Sequence, residues 1–239
     1  MTPSRAPALA DRIKAHFTEP STRRGLLVTF EGPDGSGKTT QRKLFKTWLK
    51  SEGYDTATTK WNSSALIKPI IKTRKSTRSL SGEEFSLLHA ADFRHRVEQE
   101  VLPALWAGKL VLADRFLFTA LARDVARGLD HDWVKSLYQP FLWPDIVFYF
   151  SVSPATSSER VSALRTPNYY EAGQDVTRVD NATESYERFI TRVIAEYATL
   201  ATQYDFVTID AEQPIVEQHH TIRRLFRERE SRSWSEDNV

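Results

Sequence analysis

Short apolar runs alternate along the chain with longer stretches in which apolar residues return every three or four positions. Leu26-Leu27-Val28-Thr29-Phe30 is one such run, too short for a helix and suited to a buried strand. Behind it Leu44, Phe45, Trp48 and Leu49 recur at helical spacing. They predict a helix over residues 38–51, which Gly53 can close. The same periodicities place strands at residues 25–30, 56–60, 109–113, 146–152 and 206–209, and helices at 118–127, 132–142, 154–164, 182–204 and 214–227. Ser81-Gly82-Glu83-Glu84 has capping-box spacing and opens a long helix reaching Ala107, with a kink at Pro103 and a stop at Gly108. A short helix around residues 67–73 carries Pro69 near its start, and residues 166–179 hold Pro, Gly, Asn and Asp and read as a mobile loop.

Strands separated by helices predict an α/β fold with a parallel sheet. Residues 1–23 read as an N-terminal extension with one short helix at 9–17, residues 24–229 as one domain, and residues 230–239 as a polar tail. The composition agrees: 239 residues, 40% hydrophobic and 27% charged, give one sizeable core. With no cysteine in the chain, disulfides and thiolate metal sites are excluded. The first twenty residues hold no continuous apolar run, so no signal peptide and no membrane span are expected. A cytoplasmic location is the matching expectation. A formal charge of +2 gives no argument for nucleic acid. Lys68, Lys72, Arg74, Lys75 and Arg78 form a basic run without an acid. It could touch a polyanion, but a solvated helix face is the simpler reading.

One motif changes this picture. Gly32, Gly37, Lys38 and Thr39 fill the spacing G-x-x-x-x-G-K-[ST] between the first strand and first long helix, the context a phosphate-binding P-loop requires. The fold expected is therefore that of a P-loop NTPase: three layers, α/β/α, around a parallel five-stranded sheet. Glycines let backbone N–H groups turn inward, and the helix adds its positive dipole end. Gly32, Asp34, Gly35, Ser36, Gly37, Lys38, Thr39 and Thr40 are the candidate nucleotide-binding residues. Lys38 would reach the β- and γ-phosphates of ATP, and the Thr39 hydroxyl would hold Mg²⁺. Asp114-Arg115 directly follows a hydrophobic strand. Ligands of open parallel sheets sit beyond the carboxyl ends of strands, so this pair should share an edge with the P-loop. Asp114 could act through Mg²⁺, and Arg115 could clamp a phosphate. Arg160, Arg165 and Arg178 border or follow the helix at 154–164 and the loop at 166–179, and cations around a transferring phosphoryl group are what its chemistry needs. The six histidines form no metal-ligand spacing.

Phe30-Glu31-Gly32-Pro33-Asp34-Gly35-Ser36-Gly37-Lys38-Thr39-Thr40-Gln41, Leu87-Leu88-His89-Ala90-Ala91-Asp92, Asp114-Arg115-Phe116 and the stretch from Pro144-Asp145-Ile146 to Arg160 together resemble thymidylate kinases. The resemblance runs in order over residues 26–225. It implies ATP and Mg²⁺, a nucleoside monophosphate acceptor, most directly dTMP, and a homodimer. It carries Lys38 and Thr39 over as phosphate and Mg²⁺ contacts, Asp34 as an acceptor-sugar contact, and Arg115 as the acceptor-phosphate clamp beside Asp114. Ser36 stands where one class of the family has an arginine. That makes Arg165, in a lid over about residues 165–179, the expected catalytic arginine and sets Arg160 on the donor side. The departures all concern the acceptor. Trp61-Asn62-Ser63-Ser64 replaces the family's sequence after the second strand. His89 falls at the base-stacking position and Phe93 at the base-reading arginine, with Arg94 one place late. Phe118, Ala120 and Arg123 replace polar residues of the nucleoside site. Trp61 or Phe93 could rebuild a stacking face. Two other readings stay open: a P-loop kinase with a different acceptor (a modified nucleotide, nucleic acid or a small metabolite) and a non-catalytic ATP-binding module. Intact Lys38, Thr39, Asp114 and Arg115 argue against the second.

Overall fold

Alternate residues of the central strands face opposite layers, and this split organises the molecule. The computed structural model describes residues 8–18 and 25–236. Strands β1 (Leu27–Glu31), β2 (Thr56–Lys60), β3 (Leu110–Asp114), β4 (Ile146–Ser151) and β5 (Val207–Asp210) form one sheet, all parallel, in the order β2-β3-β1-β4-β5. Leu27, Val111, Ala113, Val147 and Tyr149 point into one helical layer. Val28, Phe30, Leu112, Phe148 and Phe150 point into the other. Strands buried on both faces are what a parallel sheet under two helical layers requires.

Helix α1 (Leu9–Thr18) lies in the stretch read as an extension, and most of the rest of that stretch falls outside the described residues. Helix α2 (Lys38–Ser51) buries Phe45, Trp48 and Leu49 against the second layer, and Gly53 follows it at φ 90°. Helix α3 (Lys68–Ser76) has its proline in the first turn, as expected. Helix α4 (Gly82–Arg96) starts at Ser81, whose hydroxyl accepts from Glu84 N–H at 3.1 Å. Pro103 does not kink a continuous helix. The chain widens upstream into a π-helical turn (Val97–Val101), where Leu102 N–H reaches Val97 O five residues back, and resumes as α5 (Leu102–Trp106).

Helices α6 (Leu117–Val125) and α7 (His131–Ser136) follow β3. The second ends well short of residue 142. Arg94 Nη2 donates to the carbonyls of Gln139 and Pro140 at 2.6 and 3.2 Å, tying the residues beyond α7 into a non-helical course. Helix α8 (Pro154–Leu164) leads into residues 166–179, which form a packed segment containing α9 (Gln174–Thr177). Tyr170 and Ala172 are buried. Gly173 sits at φ 68°, where a Cβ would come within 2.3 Å of Phe189, so only glycine lets the segment lie on α10 (Ala182–Gln203). The last helix, α11 (Ile215–Glu236), continues past Arg229 through most of the polar tail. Among the described residues no helix is long and apolar enough to cross a membrane.

Candidate active site

The carboxyl ends of β1 and β3 and the start of α2 converge on one cavity of about 400 Å³. At Gly32, φ is 138° and a Cβ would meet Phe150 O at 2.8 Å, so glycine is needed where the P-loop leaves β1. Lys38, at the first position of α2, is buried and lines the cavity, its Nζ donating to Pro33 O at 3.0 Å. Burial and the Arg115 guanidinium push the Lys38 amine down to about 8, against the pull of Asp34, Asp114 and Glu31. Gly35, Gly37, Thr39 and Thr40 border a smaller adjoining cavity of about 210 Å³ that Arg165 also reaches. The Ser36 hydroxyl is buried without a hydrogen-bond partner.

Thr39 Oγ1 donates to Asp114 Oδ2 at 2.8 Å, and Arg42 Nε lies 3.5 Å from the same oxygen. A hydroxyl and a carboxylate oxygen are the donors a hard cation such as Mg²⁺ takes. Among the described residues no group of three or more His, Asp or Glu could hold a metal by itself, so such an ion would need phosphate and water oxygens to complete its shell.

Arg115 follows β3 in the left-handed region, φ 68°. From there Nη2 donates to Asp34 Oδ1 at 2.6 Å. Arg123 on α6 donates to Asp34 Oδ2 at 3.1 Å. Burial alone would raise the Asp34 carboxyl; Arg115, Arg123 and Lys38 outweigh it and hold the acid well below its usual range. Behind this cluster Glu31 is fully buried and accepts from Phe116 N–H at 2.7 Å, Thr119 Oγ1 at 2.6 Å and Tyr197 OH at 2.9 Å. Burial raises its carboxyl.

The two remaining arginines separate. Arg165 at the end of α8 lines both cavities and donates to Glu171 Oε2 at 2.6 Å. Arg160 turns away from the larger cavity and bridges Gly35 O at 3.3 Å and Ala211 O at 3.0 Å, bracing the P-loop.

The far end of the cavity holds Trp61 and His89, the two residues the resemblance ties to base stacking, together with residues it does not assign. Trp61, Phe85, His89 and Tyr170 line it, with Lys75 from α3 and Asp124 from α6. Trp61 and His89 lie parallel, with an interplanar angle of 8°. Phe93 does not reach the cavity; it is 2% exposed and packs against Phe116 and Tyr138. Arg123 entered the sequence reading only as a departure, and Lys75 only as part of a basic run. Their positions on α6 and α3 do not reveal that both turn inward.

Comparison with known proteins bears on the same geometry. The family model for thymidylate kinase matches residues 30–222. The chain belongs to the thymidylate kinase family. A probable thymidylate kinase 2 of Saccharolobus solfataricus is 40% identical over 207 residues, covering 86% of this chain and 97% of that protein. The thymidylate kinase of Halothermothrix orenii is 33% identical over 205 residues, 83% of this chain and 95% of its own length. A thymidylate kinase of a Geobacillus strain is 30% identical over 204 residues, 81% and 92%. The family covers the P-loop, the end of β3 and the lid region alike, so the departures at Trp61, His89, Phe93 and Arg123 lie inside a family member and not in an unrelated insertion.

Proposed function

We propose that this chain transfers the γ-phosphoryl group of ATP to dTMP, giving ADP and dTDP. The observation that carries the reading is the single cavity joining Lys38 and Thr39 of the P-loop to Arg115, Asp34 and an aromatic far end. A phosphate donor and a flat, phosphorylated acceptor fit those two ends, and relatives named thymidylate kinase over nearly their full length supply the base.

An oxygen of the acceptor phosphate attacks the γ-phosphorus in line, and the bond to the β-γ bridging oxygen breaks as ADP leaves. Lys38 directs its ammonium at the β- and γ-phosphates. Arg115 offers the acceptor phosphate a fork of N–H donors, which fixes the nucleophile. Asp34, held ionised between Arg115 and Arg123, accepts from a sugar hydroxyl. Arg165 brings a further charge from the lid side, and Arg160 keeps the P-loop in place on the donor side. Thr39 and Asp114 would hold Mg²⁺, which when bound offsets phosphate charge. Glu31 keeps the start of α6 fixed beneath them. The protein is cytoplasmic and a homodimer in this reading, the second open to sedimentation analysis.

Incubation with ATP and Mg²⁺, with dTMP, dUMP, dCMP, dGMP, a DNA oligonucleotide and common alcohol metabolites offered separately, tests it by chromatography of products. dTDP and ADP should form in equal amounts, with dTMP the best acceptor. Faster transfer to any non-nucleotide would overturn the reading.

A further inference from the structure

At the far end of the cavity two polar groups have no part in the transfer chemistry. Lys75 on α3 places Nζ 3.3 Å from His89 Nε2 and 4.6 Å from the centre of the Phe85 ring. Among the described residues no carboxylate oxygen forms an ion pair with it; burial, Arg127 and Arg123 push its amine down to about 8, against the longer-range pull of Asp124 and Asp175. The tautomer of His89 follows from its other nitrogen. Nδ1 lies 2.7 Å from Phe85 O, and a carbonyl only accepts, so Nδ1 carries the proton. Nε2 then holds a lone pair and accepts from Lys75. One ammonium proton is used, and two remain for the cavity that Lys75 lines.

Asp124 on α6 lines the same end and is 2% exposed. Its Oδ2 accepts from Ser86 Oγ at 2.6 Å. Its Oδ1 lies 3.9 Å from Arg127 Nη1, beyond hydrogen-bond reach. Lys75, a hydrogen-bond donor, and Asp124, an acid that burial raises, thus line the same cavity as Trp61 and Phe85. A ligand with the complementary edge can use the hydrogen-bonding capacity that both groups leave open toward the cavity.

We propose that Lys75 and Asp124 read the base of the acceptor, Lys75 donating to a ring carbonyl oxygen and Asp124 accepting from the ring N–H beside it. This rests on the monophosphate reading above. Thymine and uracil present that edge on a single ring, and guanine presents it on a larger, two-ring base. Cytosine and adenine present the reverse, an amino group beside a bare ring nitrogen, which sets donor against donor and acceptor against acceptor. His89 is a positioning residue here, since it aims the ammonium without touching the base.

Calorimetric titration in the presence of a non-hydrolysable ATP analogue tests the pair. The wild-type protein should bind dTMP at least a hundredfold tighter than dCMP. N3-methyl-dTMP, which lacks the ring N–H, should bind at least tenfold worse than dTMP. That penalty should fall below threefold in Asp124→Ala, whose smaller side chain leaves room for the methyl group. Lys75→Met keeps the length and loses the charge; it should weaken dTMP at least tenfold and leave the ATP analogue within twofold. If the Asp124 variant does not fold, the wild-type comparison of dTMP with N3-methyl-dTMP and the Lys75→Met variant still decide. Equal binding of N3-methyl-dTMP and dTMP, or unchanged dTMP affinity in Lys75→Met, would overturn the assignment while leaving dTMP as acceptor. Binding of the ATP analogue without any monophosphate would sink both this inference and the proposed function.

Discussion

Arg123 Nη1 stands 3.1 Å from Asp34 Oδ2, joining helix α6 to the tip of the P-loop. Arg115 holds the other oxygen of the same carboxylate at 2.6 Å, and both arginine side chains are only 12% exposed. Little solvent screens these contacts, so they weigh more than surface ion pairs. Asp34 is therefore ionised and fixed in one orientation before any acceptor arrives.

Arg123→Ala should loosen Asp34 while leaving Arg115 and Lys38 in place. A hydrogen bond to a charged group contributes about 1.5–3 kcal/mol, so acceptor KM should rise roughly ten- to hundredfold. The KM for ATP should stay within about twofold, and Arg123→Lys should restore part of the loss. Steady-state kinetics with each substrate varied in turn reads the split. Equal changes in both constants would mean that Arg123 supports the whole site and not its acceptor half.

Lys38 gives a pH prediction with a definite sign. Its amine is pushed down to about 8 in the ligand-free protein, so the charged form that binds phosphate is lost as pH rises through that value. The kcat/KM for ATP reports the free enzyme and should fall above about pH 8. Bound phosphates favour the ammonium, so the fall in kcat should come at higher pH. Lys38→Ala should lower kcat by roughly a hundred- to a thousandfold, the cost of one donor to developing charge, with an unchanged circular dichroism spectrum. A flat kcat/KM profile between pH 7 and 9.5 would remove Lys38 from ATP binding.

Local signals made much of this legible in the sequence. The P-loop spacing, the Ser81 cap and the apolar runs depend on near neighbours, and each stands in the structure where the pattern put it. Asp114 and Arg115 were readable because strand ends gather on one edge of a parallel sheet. Lys75 and Arg123 were not, because the rotation of α3 and α6 about their axes is set by packing against α4 and α10. Residues 166–179 read as a mobile loop from Pro and Gly content, yet the fit of Gly173 against Phe189 packs them onto α10. The early end of α7 likewise depends on Arg94, some forty residues away in sequence.

Glu31 provides a stability test separate from catalysis. Its carboxylate is the shared acceptor for Phe116 N–H, Thr119 and Tyr197, all at 0–1% exposure. Glu31→Ala would strand these buried donors at about 1–3 kcal/mol for each that finds no new partner. Thr119 and Tyr197 lie 2.9 Å apart and can satisfy one another, which limits the loss to about 3 kcal/mol. Thermal unfolding should then shift down by roughly 6–12 °C for a chain of this size. A shift under about 2 °C would show that Glu31 does not hold the β3–α6 junction.

The pair Arg165 and Glu171 sets the behaviour of the lid. Arg165 donates to Glu171 Oε2 at 2.6 Å, and Asn168 Nδ2 donates to the same oxygen at 2.9 Å. Arg165 is 53% exposed, so water screens the pair and its net contribution is about 0–1 kcal/mol. Phosphate oxygens of two bound nucleotides carry more charge than one carboxylate and can draw the guanidinium off Glu171 at little cost. Arg165→Ala should therefore reduce kcat by roughly a hundredfold or more with small changes in either KM, because the charge is needed as the phosphoryl group moves. Amide exchange across residues 166–179 should slow when the ATP analogue and dTMP are both present, and less with either alone, since only the ternary complex offers phosphates on both sides of Arg165. Glu171→Gln removes the competing carboxylate and should leave kcat within about threefold. Exchange that is identical with and without the two ligands would mean that the packed segment is a fixed wall of the site, with Arg165 its surface ornament.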